Sequence, residues 1–105
     1  MKNKVLSPRS KYYKVLNQVI DPELGLGIAD MGLIYGIKVR KGIAKVLMTF
    51  TTLGCPAGPQ ITQDVTDILM LQNNIDDVLI EVTFDPPWSL DMMKEEVRAM
   101  IYGNI

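Results

Sequence analysis

The chain has 105 residues, of which 48% are hydrophobic and 22% are charged, and its formal net charge is −1. This length suits one compact domain, and the apolar content is enough for a single core, which excludes an intrinsically disordered chain. The near-neutral charge argues against a protein built mainly to bind nucleic-acid phosphates. We therefore expect a single domain over 1–105, in which residues 1–9 are flexible.

The chain contains one cysteine and no histidine. A single cysteine cannot form an internal disulfide, and a free thiol suits the reducing cytosol. Residues 1–10 are polar and basic, unlike a signal peptide, and no apolar run is long enough to span a bilayer. We therefore expect a cytoplasmic protein with no membrane or nucleic-acid partner. Without histidine, the commonest general base is missing, and Cys55 and the carboxylates are the remaining candidates for chemistry.

The first half of the chain predicts one helix followed by two strands. Apolar residues share one helical face over 10–20, and Pro22 is expected to end this helix because the residue before a proline is disfavoured in helical conformation. A glycine-rich loop follows over 21–32. Alternating apolar residues then predict strands over 35–39 and 46–50, joined as a hairpin.

The second half predicts a helix, a strand and a last helix. The second helix covers 61–69, with Pro59 in its first turn. Strict alternation predicts a strand over 78–84, and Ser89 is a candidate N-cap for a last helix over 90–101. The order α-β-β-α-β-α indicates an α+β fold, in which helices pack on one face of a three-stranded sheet in two layers. Helix two carries the chain back, so strand three should run parallel to strand two, while its neighbour in the sheet stays open.

The segment with the strongest chemical signal is Thr51-Thr52-Leu53-Gly54-Cys55-Pro56, just before helix two. A cysteine in that place faces unpaired backbone N–H groups and the positive end of the helix dipole, which favour the thiolate. Thr51 and Thr52 can add hydrogen bonds to the sulfur, and Pro56 stiffens the exit. The structural alternative is that Cys55 is a small buried hydrophobe. The glycine and proline setting favours the functional interpretation.

The segment Asp21-Pro22-Glu23 places two carboxylates around a rigid proline. They could bind a cation or meet a basic partner. The structural alternative, a helix stop with solvated charges, is the one that the bare sequence favours.

The segment Asp85-Pro86-Pro87-Trp88-Ser89 forms a rigid corner around the only tryptophan. Tryptophan is enriched at binding hot spots, and it is also a common core anchor. The sequence favours neither interpretation, and Asp85 could instead hydrogen-bond the neighbouring loop.

These segments together resemble the MIP18-like family, formerly the domain of unknown function 59, which includes SufT-type and PaaD-type proteins. The resemblance runs over about 13–101. It implies a fold like the iron–sulfur cluster assembly domain and a role in maturing or delivering iron–sulfur clusters. The matching motifs are Asp21-Pro22-Glu23, Met31-Gly32-Leu33-Ile34-Tyr35, Thr51 to Cys55-Pro56, and Pro87-Trp88-Ser89.

The resemblance also implies a set of functional residues. Cys55 is the expected functional thiol and a transient metal ligand, with no cofactor held stably. The expected supporting residues are Asp21, Glu23, Thr51, Thr52, Pro56, Asp85 and Trp88.

One cysteine cannot hold a cluster, since clusters take four ligands that are mostly thiolates. Three interpretations stay open: a homodimer that apposes two Cys55 loops, a transient ligand during handover, and an adaptor that never touches metal. The expected partners are iron–sulfur client or scaffold proteins. We do not expect an enzyme. The rivals are an accessory subunit of a phenylacetate-type oxygenase, for which the expected extra cysteines are missing here, and a Cys55-dependent enzyme, whose base would have to be a carboxylate.

Overall fold

A computed structural model describes residues 5–51 and 57–102, with side chains up to Met100. The predicted α-β-β-α-β-α order of the main elements is confirmed, and a short hairpin is added after the first helix. No helix within these ranges is long and apolar enough to cross a bilayer. The elements are α1 (Tyr13–Leu16), β1 (Ile20–Asp21), β2 (Leu26–Gly27), β3 (Ile34–Arg40), β4 (Ile43–Met48), α2 (Gly58–Met70), β5 (Asp77–Val82), a 3-10 turn (Leu90–Met92) and α3 (Glu95–Tyr102).

The three longer strands form one mixed sheet in the order β3-β4-β5. The hairpin of β3 and β4 turns at Lys41 and Gly42, which have positive φ angles of 51° and 81°. Strand β5 pairs with β4 in the parallel sense, as predicted, and this pairing answers the open question of which strand it adjoins. Helix α2 supplies the crossover that a parallel pair requires.

The core lies between one face of this sheet and the helices. Ala44, Val46 and Met48 alternate along β4 and are buried. They belong to the same apolar cluster as Ile61 and Val65 of α2, which lie one helical turn apart and therefore share a face. The other face of β4, with Ile43 and Lys45, is exposed. This arrangement is the predicted two-layer fold.

The predicted first helix over 10–20 is too long, because α1 ends at Leu16. Ile20 and Asp21 instead pair antiparallel with Leu26 and Gly27. Val19 and Ile20 are β-branched residues that favour extended backbone. Val19 is buried beside the small hairpin and not on the face of a helix. Pro22 therefore lies in the hairpin turn and does not end the helix.

The predicted last helix is interrupted. After the 3-10 turn, Met93 is extended (φ −70°, ψ 141°), and α3 begins at Glu95. The Ser89 side chain makes no capping hydrogen bond. Glu95 and Glu96 in the first turn favour this later start, because acidic groups interact well with a helix N-terminus. Met100, in the second half of α3, is 79% exposed.

Candidate functional site

Three of the motif segments converge at one end of the three-stranded sheet. Ile34, Met48 and Val82 form one row across the strands, with Met48 in the middle. The segment 49–57 leaves the sheet after Met48, the corner 85–88 follows Val82, and the segment 31–33 leads into Ile34. The topology therefore brings the segments that flank these three positions to the same end of the sheet.

A ladder of backbone hydrogen bonds joins the fourth motif segment, the turn at Asp21, to this end of the sheet. The N–H of Thr49 donates to the carbonyl of Leu33 at 2.8 Å, and the N–H of Leu33 donates to Ile28 at 3.1 Å. The N–H of Ile28 in turn donates to Val19 at 2.9 Å. Val19 lies two residues before Asp21, so the Asp21 turn is tied through the backbone to the start of the Cys55 segment.

Asp21 is only 2% exposed, and its carboxylate is used by its own turn. One oxygen, Oδ1, accepts the backbone N–H groups of Glu23 at 2.8 Å and Leu24 at 3.1 Å. This is an Asx-type turn, in which the side chain replaces a backbone acceptor. Glu23 is exposed. The two carboxylates of this motif thus have different surroundings, and within 5–51 and 57–102 no cluster of three His, Cys, Asp or Glu side chains could hold a metal ion.

Cys55, Thr52 and Pro56 lie outside the described residues, and the predictions made for them stay predictions. The chain on either side of them is well packed. Thr51 is half-buried, and Gly58 begins α2 with the predicted proline in the first turn. A Cβ atom on Gly58 would lie 3.3 Å from the Phe50 ring, so glycine permits this close contact between the two flanks.

Trp88 connects the rigid corner to the segment before β3. Its indole N–H donates a hydrogen bond to the carbonyl of Met31 at 2.7 Å, and its half-buried ring packs against the core. Met31 itself is fully buried. Of the two interpretations of Trp88, these contacts are the ones that a core anchor makes.

Asp85 is exposed, and its backbone forms hydrogen bonds with the residues just before it. Its N–H donates to the Thr83 hydroxyl at 3.2 Å, and that hydroxyl donates to the Asp85 carbonyl at 3.4 Å. The Asp85–Pro86 peptide bond is cis. The Asp85 carboxylate therefore stands at the surface, at the same end of the sheet as the other motifs.

Tyr35 is a positioning residue that the sequence did not single out beyond its place in a motif. Its hydroxyl donates to the Pro86 carbonyl at 2.7 Å and lies 3.4 Å from the Met92 sulfur. Burial raises the pKa of Tyr35, and the nearby Thr49 side chain opposes that rise. Its position directly after Gly32-Leu33-Ile34 in the matching motif was the one signal available. Tyr35 and Trp88 together fasten the corner to the start of β3.

Several known proteins are similar to this chain. A family described as iron–sulfur cluster assembly protein matches residues 11–82. The Fe-S protein maturation auxiliary factor SufT of Staphylococcus aureus (strain USA300) is 45% identical over 84 residues, which cover 79% of this chain and 96% of that protein. The auxiliary factor YitW of Bacillus subtilis (strain 168) is 37% identical over 87 residues, covering 82% and 85%.

A solved structure repeats the fold. The domain of unknown function DUF59 from Bacillus anthracis superposes with a TM-score of 0.81 at 34% identity, covering 90% of this chain and 91% of that one. The family match over residues 11–82 spans the three strands of the sheet and, in sequence, the Asp21, Met31 and Cys55 segments.

Proposed function

The chain belongs to the family of iron–sulfur cluster assembly proteins, and we propose that within iron–sulfur protein maturation it acts through the segment that carries Cys55. The observation that supports this most is the convergence at one end of the sheet. The start of the Cys55 segment, the Asp21 turn and the Trp88 corner are joined there by hydrogen bonds to the same stretch, 28–33. A surface built from several chain segments on a rigid sheet suits recognition of another protein.

In this proposal the Cys55 thiolate is a transient ligand of a cluster in transit. A cluster normally takes four protein ligands, so the others come from the client or scaffold protein. In sequence, Cys55 precedes the first residue of α2 by three positions, and a thiol close to a helix N-terminus would be favoured as the thiolate. In the proposal, Thr51 and Thr52 would add hydrogen bonds to the sulfur, and Pro56 would restrict the backbone that follows. The cluster is cargo, and no cofactor is held at rest.

The surrounding residues divide into positioning and contact roles. Asp21 and Trp88 hold their segments in place through the hydrogen bonds described above. Glu23 and Asp85 are exposed, and they would meet basic groups on a client or scaffold protein. The reducing cytoplasm is the compartment in which a lone thiol stays available for this work.

The first experiment replaces Cys55 with serine in cells that depend on this protein for iron–sulfur maturation. We expect Cys55→Ser to accumulate normally and to lower the activity of iron–sulfur client enzymes. Gln60→Ala is the matched control, since Gln60 is exposed on α2 and its side chain donates a hydrogen bond to Asp64 within its own helix. Full client activity with Cys55→Ser would refute the proposed role of the thiol.

The second experiment separates a carrier from an adaptor. The protein is reconstituted anaerobically with iron and sulfide, alone and with an apo-client, and is followed by visible absorbance and native mass spectrometry. We expect cluster on the client to form faster with wild-type protein than with Cys55→Ser. An equal rate with both proteins would contradict a ligand role and favour an adaptor.

A further inference from the structure

The face of the sheet opposite the helices is a regular array of nine residues, which we call the open face. Strands β3, β4 and β5 each contribute three residues, and the strand pairings align them in three rows. An open depression of about 440 Å³ lies over its middle. The rows, read from β3 to β5, are Arg40–Ile43–Asp77, Lys38–Lys45–Leu79 and Gly36–Leu47–Glu81.

Charge is separated across this face. The β3 edge carries Lys38 and Arg40, and the β5 edge carries Asp77 and Glu81. In the part of the chain that the structure describes, the one ion pair joins Arg98 to Asp91, far from these residues in sequence. The open face therefore has a basic edge and an acidic edge that do not neutralise each other within those ranges.

The middle row places two like charges side by side. Lys38 lies directly opposite Lys45 on the neighbouring strand, and like charges in that relation cost stability. Ile43 and Leu79 are large apolar residues that remain exposed beside them, Leu79 at 50%. A face that combines exposed apolar side chains with unneutralised charge is typical of a surface that meets a partner.

We propose that the open face packs against the open face of a second copy of this chain, around a two-fold axis parallel to β4. Such an axis places the β3 edge of each copy over the β5 edge of the other. Each row then lies opposite the same row of the partner subunit. Each Arg40 then stands opposite Asp77 of the partner subunit, and each acidic edge covers a basic one. A two-fold axis across the strands would instead place each basic edge on the other basic edge. The charge pattern thus selects one arrangement of a self-complementary interface.

This arrangement has a directional consequence. An axis parallel to the strands leaves β4 running the same way in both copies. Met48 and Val82 therefore lie at the same end of the dimer in each copy, and both chains enter the segment 49–57 from that end. The two candidate sites would face one side of the assembly. The interface itself does not depend on the proposed role of Cys55.

The contact is small, so the dimer is expected to be weak and reversible. Three strands spaced about 4.8 Å apart and about 20 Å long present roughly 300 Å² of projected face per copy. A standard stable interface covers about 800 Å² per partner. The pairing at the edges is exposed, so added salt should weaken it.

Charge reversal tests the proposed contact in the full-length protein by analytical ultracentrifugation over a concentration series at low salt. Arg40→Asp and Asp77→Arg each place like charges opposite each other twice per dimer, and each should raise the dimer Kd about tenfold or more. An equal mixture of the two variants restores both pairs, as does the doubly substituted chain. Lys14→Asp on α1, exposed and away from the sheet, is the matched control and should leave Kd unchanged.

Lys45 offers a test in the opposite direction. The proposed axis passes near it, so the two copies of Lys45 approach each other. Replacing it by methionine, which has similar length and no charge, should tighten the dimer. A protein that stays monomeric at millimolar concentration would overturn the proposal. A dimer whose Kd is unchanged by Arg40→Asp and by Asp77→Arg would overturn it as well. Client activity is measured separately, so failure of the dimer and failure of the Cys55 role give different results.

Discussion

The indole N–H of Trp88 reaches the carbonyl of Met31 across 57 positions of sequence and donates a 2.7 Å hydrogen bond to it. This bond fastens the rigid corner after β5 to the segment that enters β3. Both segments border the end of the sheet from which the Cys55 segment leaves. Its strength should therefore be measurable both as stability and as order at that end of the molecule.

Trp88→Phe keeps an aromatic ring and removes the donor, which leaves the buried Met31 carbonyl without its partner. We expect a loss of about 1–2 kcal/mol in the free energy of unfolding. Trp88→Ala also removes the ring from the core and should cost about 3 kcal/mol. Urea unfolding followed by circular dichroism measures both. A Trp88→Phe variant as stable as the wild-type chain would show that the hydrogen bond contributes nothing.

Gly32→Ala should be strongly destabilising for two reasons. The residue has a φ of +78°, and a Cβ atom there would collide with the backbone carbonyl of Met92. Gly25 is the matched control, because its φ is +69° and its Cβ would meet nothing within 4 Å. Gly25→Ala should cost about 1 kcal/mol from backbone strain alone. Thermal unfolding of both variants isolates the collision as the difference, and equal midpoints would contradict it.

Asp21→Ala removes the acceptor of two backbone N–H groups in a buried turn, and we expect a loss of about 1–3 kcal/mol. Asp21→Asn keeps an oxygen in that place and should recover most of the stability. Client activity gives the second measurement. If Asp21→Asn is stable and active, Asp21 serves only the turn; a stable but inactive Asp21→Asn would show that its negative charge is used in function.

The protein should lose stability in alkali through two tyrosines. Burial, with a hydrogen bond to Asp30, raises the pKa of Tyr13, and burial raises that of Tyr35. Their ordinary pKa of about 10 applies to the unfolded chain. The unfolded state thus releases its protons first, so this stability is complete below pH 10 and is lost as pH rises from there toward the folded values.

The measurement is the free energy of unfolding between pH 8 and 11. Each tyrosine should contribute a slope of up to about 1.4 kcal/mol per pH unit above pH 10. Tyr13→Phe and Tyr35→Phe should each flatten the decline relative to the wild-type chain. A decline that both variants share fully with the wild type would assign it to other groups.

The sequence predicted the parts of the fold that repeat with a regular period. Val46 and Met48 alternate, and Ile61 and Val65 recur one turn apart, because burial on one face imposes that spacing. The parallel sense of β5 followed from the crossover helix. The place of β5 beside β4 could not be predicted, since its apolar residues would alternate in the same way if it paired with β3.

Short and long-range features escaped sequence analysis for different reasons. The β1–β2 hairpin has two residues per strand, too few to show a period, so Val19 and Ile20 were assigned to a helix. The candidate site was recognised through its motifs, and the roles of its members depended on tertiary contacts. Nothing local to Asp21 distinguishes a solvated carboxylate from one that caps a buried turn, and nothing local to Tyr35 indicates its bond to Pro86.

The hydrogen-bonded path from Thr49 through Leu33 and Ile28 to Val19 has a consequence for how the protein opens. Each of these N–H groups is protected only while its neighbour stays in place, so we expect the amides of 28, 33 and 49 to open to solvent with one common free energy, as a single cooperative unit. A protein that binds any one of the segments at this end would then slow exchange in all of them. Binding at one segment would therefore be detectable as slower amide exchange from the start of the Cys55 segment to the Asp21 turn.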